Sequence, residues 1–83
     1  MVTLTLYSRA GCHLCEDARE ILEEACARLN QKGPAAVLEE TDIDADIELQ
    51  RLYRHDVPVV MIDGQEVFRH FVHADKLWKI LNP

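Results

Sequence analysis

The sequence has few cysteines, few glycines and prolines, and no long apolar run. Its 83 residues include 3 cysteines, an odd number that fits no framework of structural disulfides. No apolar stretch approaches the roughly 20 residues needed to span a bilayer. Residues 1–7 lack both a basic leader and a continuous apolar segment, so no export signal is visible. We therefore expect a cytoplasmic protein that does not enter a membrane.

Basic residues are also scarce relative to acidic ones. Nine lysines and arginines stand against 15 acids, which gives a net charge of −6. An excess of negative charge opposes binding to nucleic acid and to anionic lipid, so neither is an expected partner. Glycine and proline are too scattered to form a linker, and no repeat interrupts the chain. We expect a single domain, residues 1–83, that is a monomer.

What is present is a pair of cysteines where a short apolar strand gives way to a long amphipathic helix. Cys12 and Cys15 lie three residues apart, and a slightly loosened first helical turn brings such a pair within disulfide distance. The free N–H groups and the positive dipole end of that turn favour a thiolate, so we expect the pKa of Cys12 to lie below that of a free cysteine. Cys12 is then the nucleophile. Cys15, one turn inside, is the resolving thiol that attacks a mixed disulfide.

Hydrophobic periodicity predicts the remaining elements. Alternation predicts strands, three- and four-residue spacing predicts helices, and Asp63-Gly64 predicts a two-residue hairpin turn. Gly33 followed by Pro34 predicts the end of the first helix. The predicted ranges are strand 2–7, helix 12–31, strand 35–40, helix 46–54, strand 57–62, strand 65–68 and helix 74–81. The order β-α-β-α-β-β-α predicts an α/β fold, a four-stranded mixed sheet with helices on both faces.

Three segments of this sequence resemble those of a known family. Residues 6–15, Val57-Pro58 and the turn at residues 62–64 have the order and spacing of a glutaredoxin-like protein of the thioredoxin-fold superfamily, with the small bacterial glutaredoxin-like group the most similar. The resemblance implies a thioredoxin/glutaredoxin-like fold and a dithiol–disulfide oxidoreductase acting on protein or small-molecule disulfides, with a reductant that the sequence does not name. It also implies a cis peptide before Pro58, facing the cysteines, where the backbone of Val57 pairs with the substrate.

Glutathione is a candidate co-substrate by the same resemblance, and no tightly bound cofactor is implied. Arg9 matches the basic position that meets a glutathione carboxylate. Two features differ: His13-Leu14 replaces the usual Pro-Tyr, and residues 67–71 replace a Gly-Gly turn with its Asp. An exposed Phe71 would instead indicate a protein partner, although a core position is the simpler expectation for Phe68, Phe71 and Trp78.

The sequence is compatible with several roles for its histidines and cysteines. His13 either stabilises the Cys12 thiolate as an imidazolium or is an exposed histidine at a helix start. Cys26 is expected to pack as a small apolar residue. A zinc site would have to recruit Cys12, Cys15, His70 and His73, whose His-x-x-His spacing is shorter than usual. A glutathione-linked iron–sulfur carrier and a redox-inert binding domain are the other classes.

Overall fold

Four strands and three α-helices follow one another in the order predicted from the sequence. The structure is a computed structural model that describes residues 1–33 and 35–82. The elements are β1 Val2–Ser8, α1 His13–Lys32, β2 Ala36–Asp42, a 3-10 turn Ile43–Ala45, α2 Ile47–Tyr53, β3 Val59–Ile62, β4 Gln65–Arg69 and α3 Ala74–Leu81. The predicted α/β class and the four-stranded mixed sheet are therefore confirmed.

The sheet has the strand order β2-β1-β3-β4. The first two strands are parallel because α1 carries the chain back along the sheet, whereas β3 is antiparallel to both of its neighbours. The hairpin between β3 and β4 turns at Asp63 and Gly64, whose φ angles of 49° and 85° are both positive. This is the turn geometry that the Asp-Gly pair predicts.

One face of the sheet packs against α1 and α3. Alternate residues of β1, Leu4 and Leu6, are fully buried there. The core on this face also contains Ala18, Leu22, Ala25, Val60, Phe68 and Leu77. The other face is covered by the shorter α2, where the rings of Tyr7 and Tyr53 stack with centroids 5.1 Å apart.

Several boundaries differ from the prediction. β2 extends to Asp42 because it pairs with β1 as far as Ser8, and cross-strand pairing outweighs the low strand propensity of an acidic segment. β3 begins at Val59 instead of Val57. α1 ends with Gly33 as its C-cap, donating its N–H to Leu29, while Pro34 lies outside the described residues.

Three large apolar residues are exposed, and burial was the expectation for one of them, Phe71. Ile47 and Leu52 of α2 are 64% and 60% exposed, and Phe71 after β4 is 59% exposed. The helix α2 is only two turns long and has no buried residue, and Tyr53 is its side chain that stacks on the sheet, against Tyr7, so Ile47 and Leu52 remain in solvent. Within the described residues, no helix is both long and apolar enough to cross a bilayer.

Candidate active site

The loop that carries the cysteines leaves β1 at the edge of the sheet where β3 begins. Tyr7 pairs with Val59 in the antiparallel register, which places Ser8 and Pro58 one residue further towards this edge. Arg69, the last residue of β4, pairs with Val59 from the other side. The cysteine loop, the Val57-Pro58 segment and the end of β4 therefore share one edge of the sheet, which we call the cysteine edge.

Cys12 is the N-cap of α1. Gly11, with a φ of 75°, makes the turn that a residue with a side chain adopts only at a cost. Cys12 itself is extended, with φ −98° and ψ 107°, and its Sγ accepts a hydrogen bond from the backbone N–H of Cys15 at 3.1 Å. This N–H is one of the donors that has no partner within the helix. Its position against the sulfur favours the thiolate over the thiol.

Cys15 lies one turn into α1 and is joined to Cys12 by a disulfide, with a Cα–Cα distance of 5.2 Å. Cys12 lies outside the regular helix, with the extended backbone usual at an N-cap, and from there its sulfur reaches that of Cys15. Cys15 is only 1% exposed, whereas Cys12 is half-buried. Cys12 is therefore the more accessible of the two sulfurs.

Arg9 is held by other parts of the chain. Its Nη2 and Nε donate to the carboxylate of Asp44 at 2.9 and 3.2 Å, and its Nη1 donates to the carbonyl oxygen of Arg54 at 3.2 Å. These contacts tie the cysteine loop to the 3-10 turn and to the end of α2. Three of the five N–H donors of Arg9 are thereby occupied.

His13 is the first residue of α1, and its side chain is 95% exposed. Its Nδ1 lies 3.7 Å from a carboxylate oxygen of Glu16. The imidazole is thus solvated and directed along the first turn of the helix. His13 is therefore an exposed histidine at a helix start, and its effect on the Cys12 thiolate stays a prediction.

The Val57-Pro58 peptide is cis, as the resemblance implied. Pro58 is buried, and its carbonyl oxygen accepts the backbone N–H of His70 at 2.8 Å. Within residues 1–33 and 35–82, no backbone hydrogen bond uses the N–H or the carbonyl oxygen of Val57. The backbone of Val57 is therefore free to pair with an extended peptide.

A cluster of charged residues that sequence patterns did not predict surrounds this segment. Asp56 accepts a hydrogen bond from Arg69 Nη1 at 2.9 Å, and its other oxygen lies 3.3 Å from His70 Nε2. Arg69 also donates to both carboxylate oxygens of Glu66, which lowers the pKa of that residue. No local spacing in the sequence links residues 56 and 69. The position of Asp56, two residues before Pro58, was the weak indication that this acid belongs to the site.

A second unpredicted cluster lies beside the cysteine loop, on the α1 face. Buried Ser8 donates to Glu40 Oε2 at 2.7 Å, and Arg19 binds both oxygens of the same carboxylate at 2.6 Å. The Arg19 guanidinium, with the Ser8 hydroxyl, holds the pKa of Glu40 below its usual value. These residues and Arg9 line an open depression of about 370 Å³.

The remaining candidate residues are not brought together. In the part of the chain that the structure describes, no group of three or more His, Cys, Asp or Glu side chains is arranged to hold a metal ion, so Cys12, Cys15, His70 and His73 do not form a ligand set. Cys26 is half-buried, and its thiol donates to the carbonyl oxygen of Ala36 at 3.3 Å.

Comparison with known proteins identifies the family of this chain. The sequence pattern of one family, described as "Glutaredoxin-like domain (DUF836)", matches residues 3–82. The chain belongs to this glutaredoxin-like family. A curated relative, "Glutaredoxin-like protein YDR286C homolog" of Dictyostelium discoideum, is 35% identical in an alignment of 81 positions that covers 93% of this chain and 72% of that protein.

Solved structures agree with this placement of the glutaredoxin-like chain. Target protein XcR50 from X. campestris has a TM-score of 0.73 and 34% identity, and the match covers 95% of each chain. Chloroplastic thioredoxin z also has a TM-score of 0.73, at 16% identity over 98% of this chain and 75% of that one. The second similarity shows that the two share the thioredoxin fold.

Proposed function

We propose that this glutaredoxin-like chain is a dithiol–disulfide oxidoreductase. The observation that carries the proposal is the environment of Cys12, a half-buried N-cap sulfur that accepts the N–H of Cys15 and is paired with the buried Cys15 sulfur. Thiol–disulfide exchange needs an accessible thiolate and a second thiol that substrate cannot reach first. The first turn of α1 provides both.

The reaction proceeds in two exchange steps. The Cys12 thiolate attacks one sulfur of the substrate disulfide, forms a mixed disulfide and releases the other substrate sulfur as a thiolate, which takes a proton from solvent. The thiolate of Cys15 then attacks Cys12 Sγ and expels the second substrate thiolate. Two electrons pass to the substrate, and the protein is left with the Cys12–Cys15 disulfide, which a separate reductant then reduces.

Proteins are the substrate class that the cysteine edge supports best. Leu14, between the cysteines, is 39% exposed. Phe71 is 59% exposed and follows His70, the residue whose N–H donates to Pro58. Exposed apolar side chains of this kind suit a protein surface. The unpaired backbone of Val57 suits an extended peptide.

Glutathione has weaker support as a co-substrate. Arg9, the position that would meet a glutathione carboxylate, already binds Asp44 and the carbonyl oxygen of Arg54. A monomer in the cytoplasm, where paired cysteines are kept reduced, would fit a protein that reduces disulfides in its partners.

The proposal is tested with single-cysteine variants. Cys12→Ser should abolish turnover of a peptide disulfide, because it removes the attacking sulfur. Cys15→Ser should accumulate a mixed disulfide on Cys12, visible as a mass increase that dithiothreitol removes. Cys26→Ser serves as the control and should behave like the wild type. Equal and mild losses in the Cys12 and Cys15 variants would contradict the assigned roles.

The redox equilibrium of the pair gives an independent test. The protein is equilibrated in buffers with varied ratios of reduced to oxidised glutathione, its free thiols are alkylated, and its mass is measured. The oxidised fraction should show one reversible two-electron transition. Related motifs have potentials between roughly −270 and −120 mV, and the measured value would show whether the protein reduces or oxidises its partners. Cysteines that never pair would contradict the proposal and favour a redox-inert binding domain.

A further inference from the structure

The segment before β3 is held by the last residue of β4 and the residue that follows it. Asp56 contributes one carboxylate oxygen to Arg69 Nη1, at 2.9 Å, and the other to His70 Nε2, at 3.3 Å. The backbone N–H of His70 donates to Pro58 at 2.8 Å. The three-residue segment 56–58 is thus fixed at both of its ends by Arg69 and His70.

The turn that provides these contacts is strained. His70 has a φ of 73°, and the N–H of Phe71 donates to the carbonyl oxygen of Arg69 at 2.9 Å. These features define a γ-turn with positive φ, the rarer form, in a residue that is not glycine. Such a conformation persists only where the surrounding structure determines it, and it occurs most often at functional sites.

The carboxylate of Asp56 contacts two residues of this turn, Arg69 and His70. Arg69 is oriented by the carboxylate of Glu66 at 2.7 and 2.9 Å, and its guanidinium lies 5.6 Å from the ring centroid of Tyr53. Asp56 donates its own backbone N–H to the carbonyl oxygen of Tyr53. Strand β4 and helix α2 therefore hold Asp56 from two sides, immediately before the unpaired backbone of Val57.

We propose that Asp56 is a positioning residue that fixes Val57-Pro58 for pairing with the backbone of a peptide disulfide. The proposal rests on the proposed function and goes beyond it, because it separates two classes of substrate. A peptide disulfide uses both Cys12 and the backbone of Val57. A small disulfide without peptide groups uses Cys12 alone.

The test compares two disulfides in single-turnover reactions of the reduced protein. One is a disulfide-linked dimer of a short peptide and the other is hydroxyethyl disulfide. In each reaction the remaining free thiols of the protein are alkylated at successive times, and the mass of the protein shows how much has reacted. Asp56→Ala should lower the second-order rate constant for the peptide by about tenfold or more, because small displacements of a positioning group cost that much. The rate constant for hydroxyethyl disulfide should stay within about twofold of wild type, because no positioned backbone group is involved.

Two further variants keep the test decisive. Asp56→Asn preserves the volume of the side chain and replaces Asp56→Ala if the latter does not fold, with the same selective loss expected. Glu48→Gln is the matched control, since it removes an exposed carboxylate that lies 3.8 Å from Arg51 on α2 and does not belong to the cluster. It should leave both rate constants unchanged. The Cys12–Cys15 redox equilibrium should be the same in all variants.

Each result has one meaning. Loss of reactivity towards the peptide alone supports the positioning role. An equal loss towards both disulfides, or no loss towards either, overturns it. A wild-type protein that reacts with neither disulfide would overturn the proposed function itself, before any variant is compared.

Discussion

The hydrogen bond between the N–H of Cys15 and Cys12 Sγ predicts an acid shift in the titration of Cys12. The variant Cys15→Ser isolates Cys12, because it removes the disulfide and keeps the backbone donor at 3.1 Å. We expect the pKa of Cys12 in this folded variant to lie below that of the same cysteine in the unfolded chain.

The size of the shift follows from two contributions. A hydrogen bond to a charged group contributes about 1.5–3 kcal/mol, and a charge at a helix terminus about 0.3–1 kcal/mol. Because sulfur accepts hydrogen bonds weakly, we take a total of about 2 kcal/mol, near the lower end. That preference for the thiolate corresponds to a shift of about 1.5 pH units towards acid.

The assay is the rate of alkylation of Cys12 by iodoacetamide as a function of pH. Mass spectrometry of the peptide that carries Cys12 keeps Cys26 out of the measurement. The unfolded reference is the same variant in concentrated urea. A midpoint in the folded protein equal to or above the unfolded midpoint would refute the argument.

Two variants separate the backbone from the neighbouring imidazole. Cys15→Pro removes the N–H donor at a position where a helix tolerates proline, so the shift should shrink. His13→Ala removes a side chain that is 95% exposed, so the shift should persist. The opposite pattern would mean that His13 stabilises the thiolate.

Three further predictions concern stability, measured by urea unfolding. Glu40→Gln should destabilise the protein at neutral pH and less in acid. The Arg19 guanidinium lowers the pKa of Glu40 from 4.5, so the ionised carboxylate contributes fully to the free energy of unfolding above pH 4.5. This contribution disappears as the pH falls through the lowered pKa. Equal destabilisation at both pH values would contradict this reasoning. Gly64→Ala should cost about 1 kcal/mol through its φ of 85° alone, since an added Cβ would meet no heavy atom within 4 Å; an unchanged unfolding midpoint would argue against the turn geometry. Leu22→Ala should cost about 2–5 kcal/mol because Leu22 is fully buried, and a loss below about 1 kcal/mol would mean that the core closes around the missing side chain.

The parts of the molecule that the sequence predicted correctly depend on local patterns. The change from strand alternation to helical spacing predicted that α1 begins beside Cys12, and the Asp63-Gly64 pair predicted the hairpin turn. These features involve residues that are close along the chain. Their backbone preferences act before any tertiary contact forms, so a single sequence is enough to predict them.

The parts that were not predicted depend on contacts between distant residues. Asp56 and Arg69 are 13 positions apart, and Ser8 and Glu40 are 32 apart. Exposure of Phe71 also depends on the γ-turn before it, because residue type alone favours burial of a phenylalanine. The periodicity of the sequence does not predict these contacts or this exposure, because they arise only when separate elements meet at the cysteine edge.

The cysteine edge therefore divides its work between two parts of the chain. The first turn of α1 stabilises charge on Cys12 through a donor within three residues, and this effect requires no contact with the Val57-Pro58 segment. The segment at residues 56–58 is instead held by the end of β4. Groups without shared partners contribute independently to a reaction's free energy. We therefore expect the reactivity of the thiol and the proposed pairing with a peptide to be separable, so that a substitution at Asp56 changes the second while the titration of Cys12 stays the same.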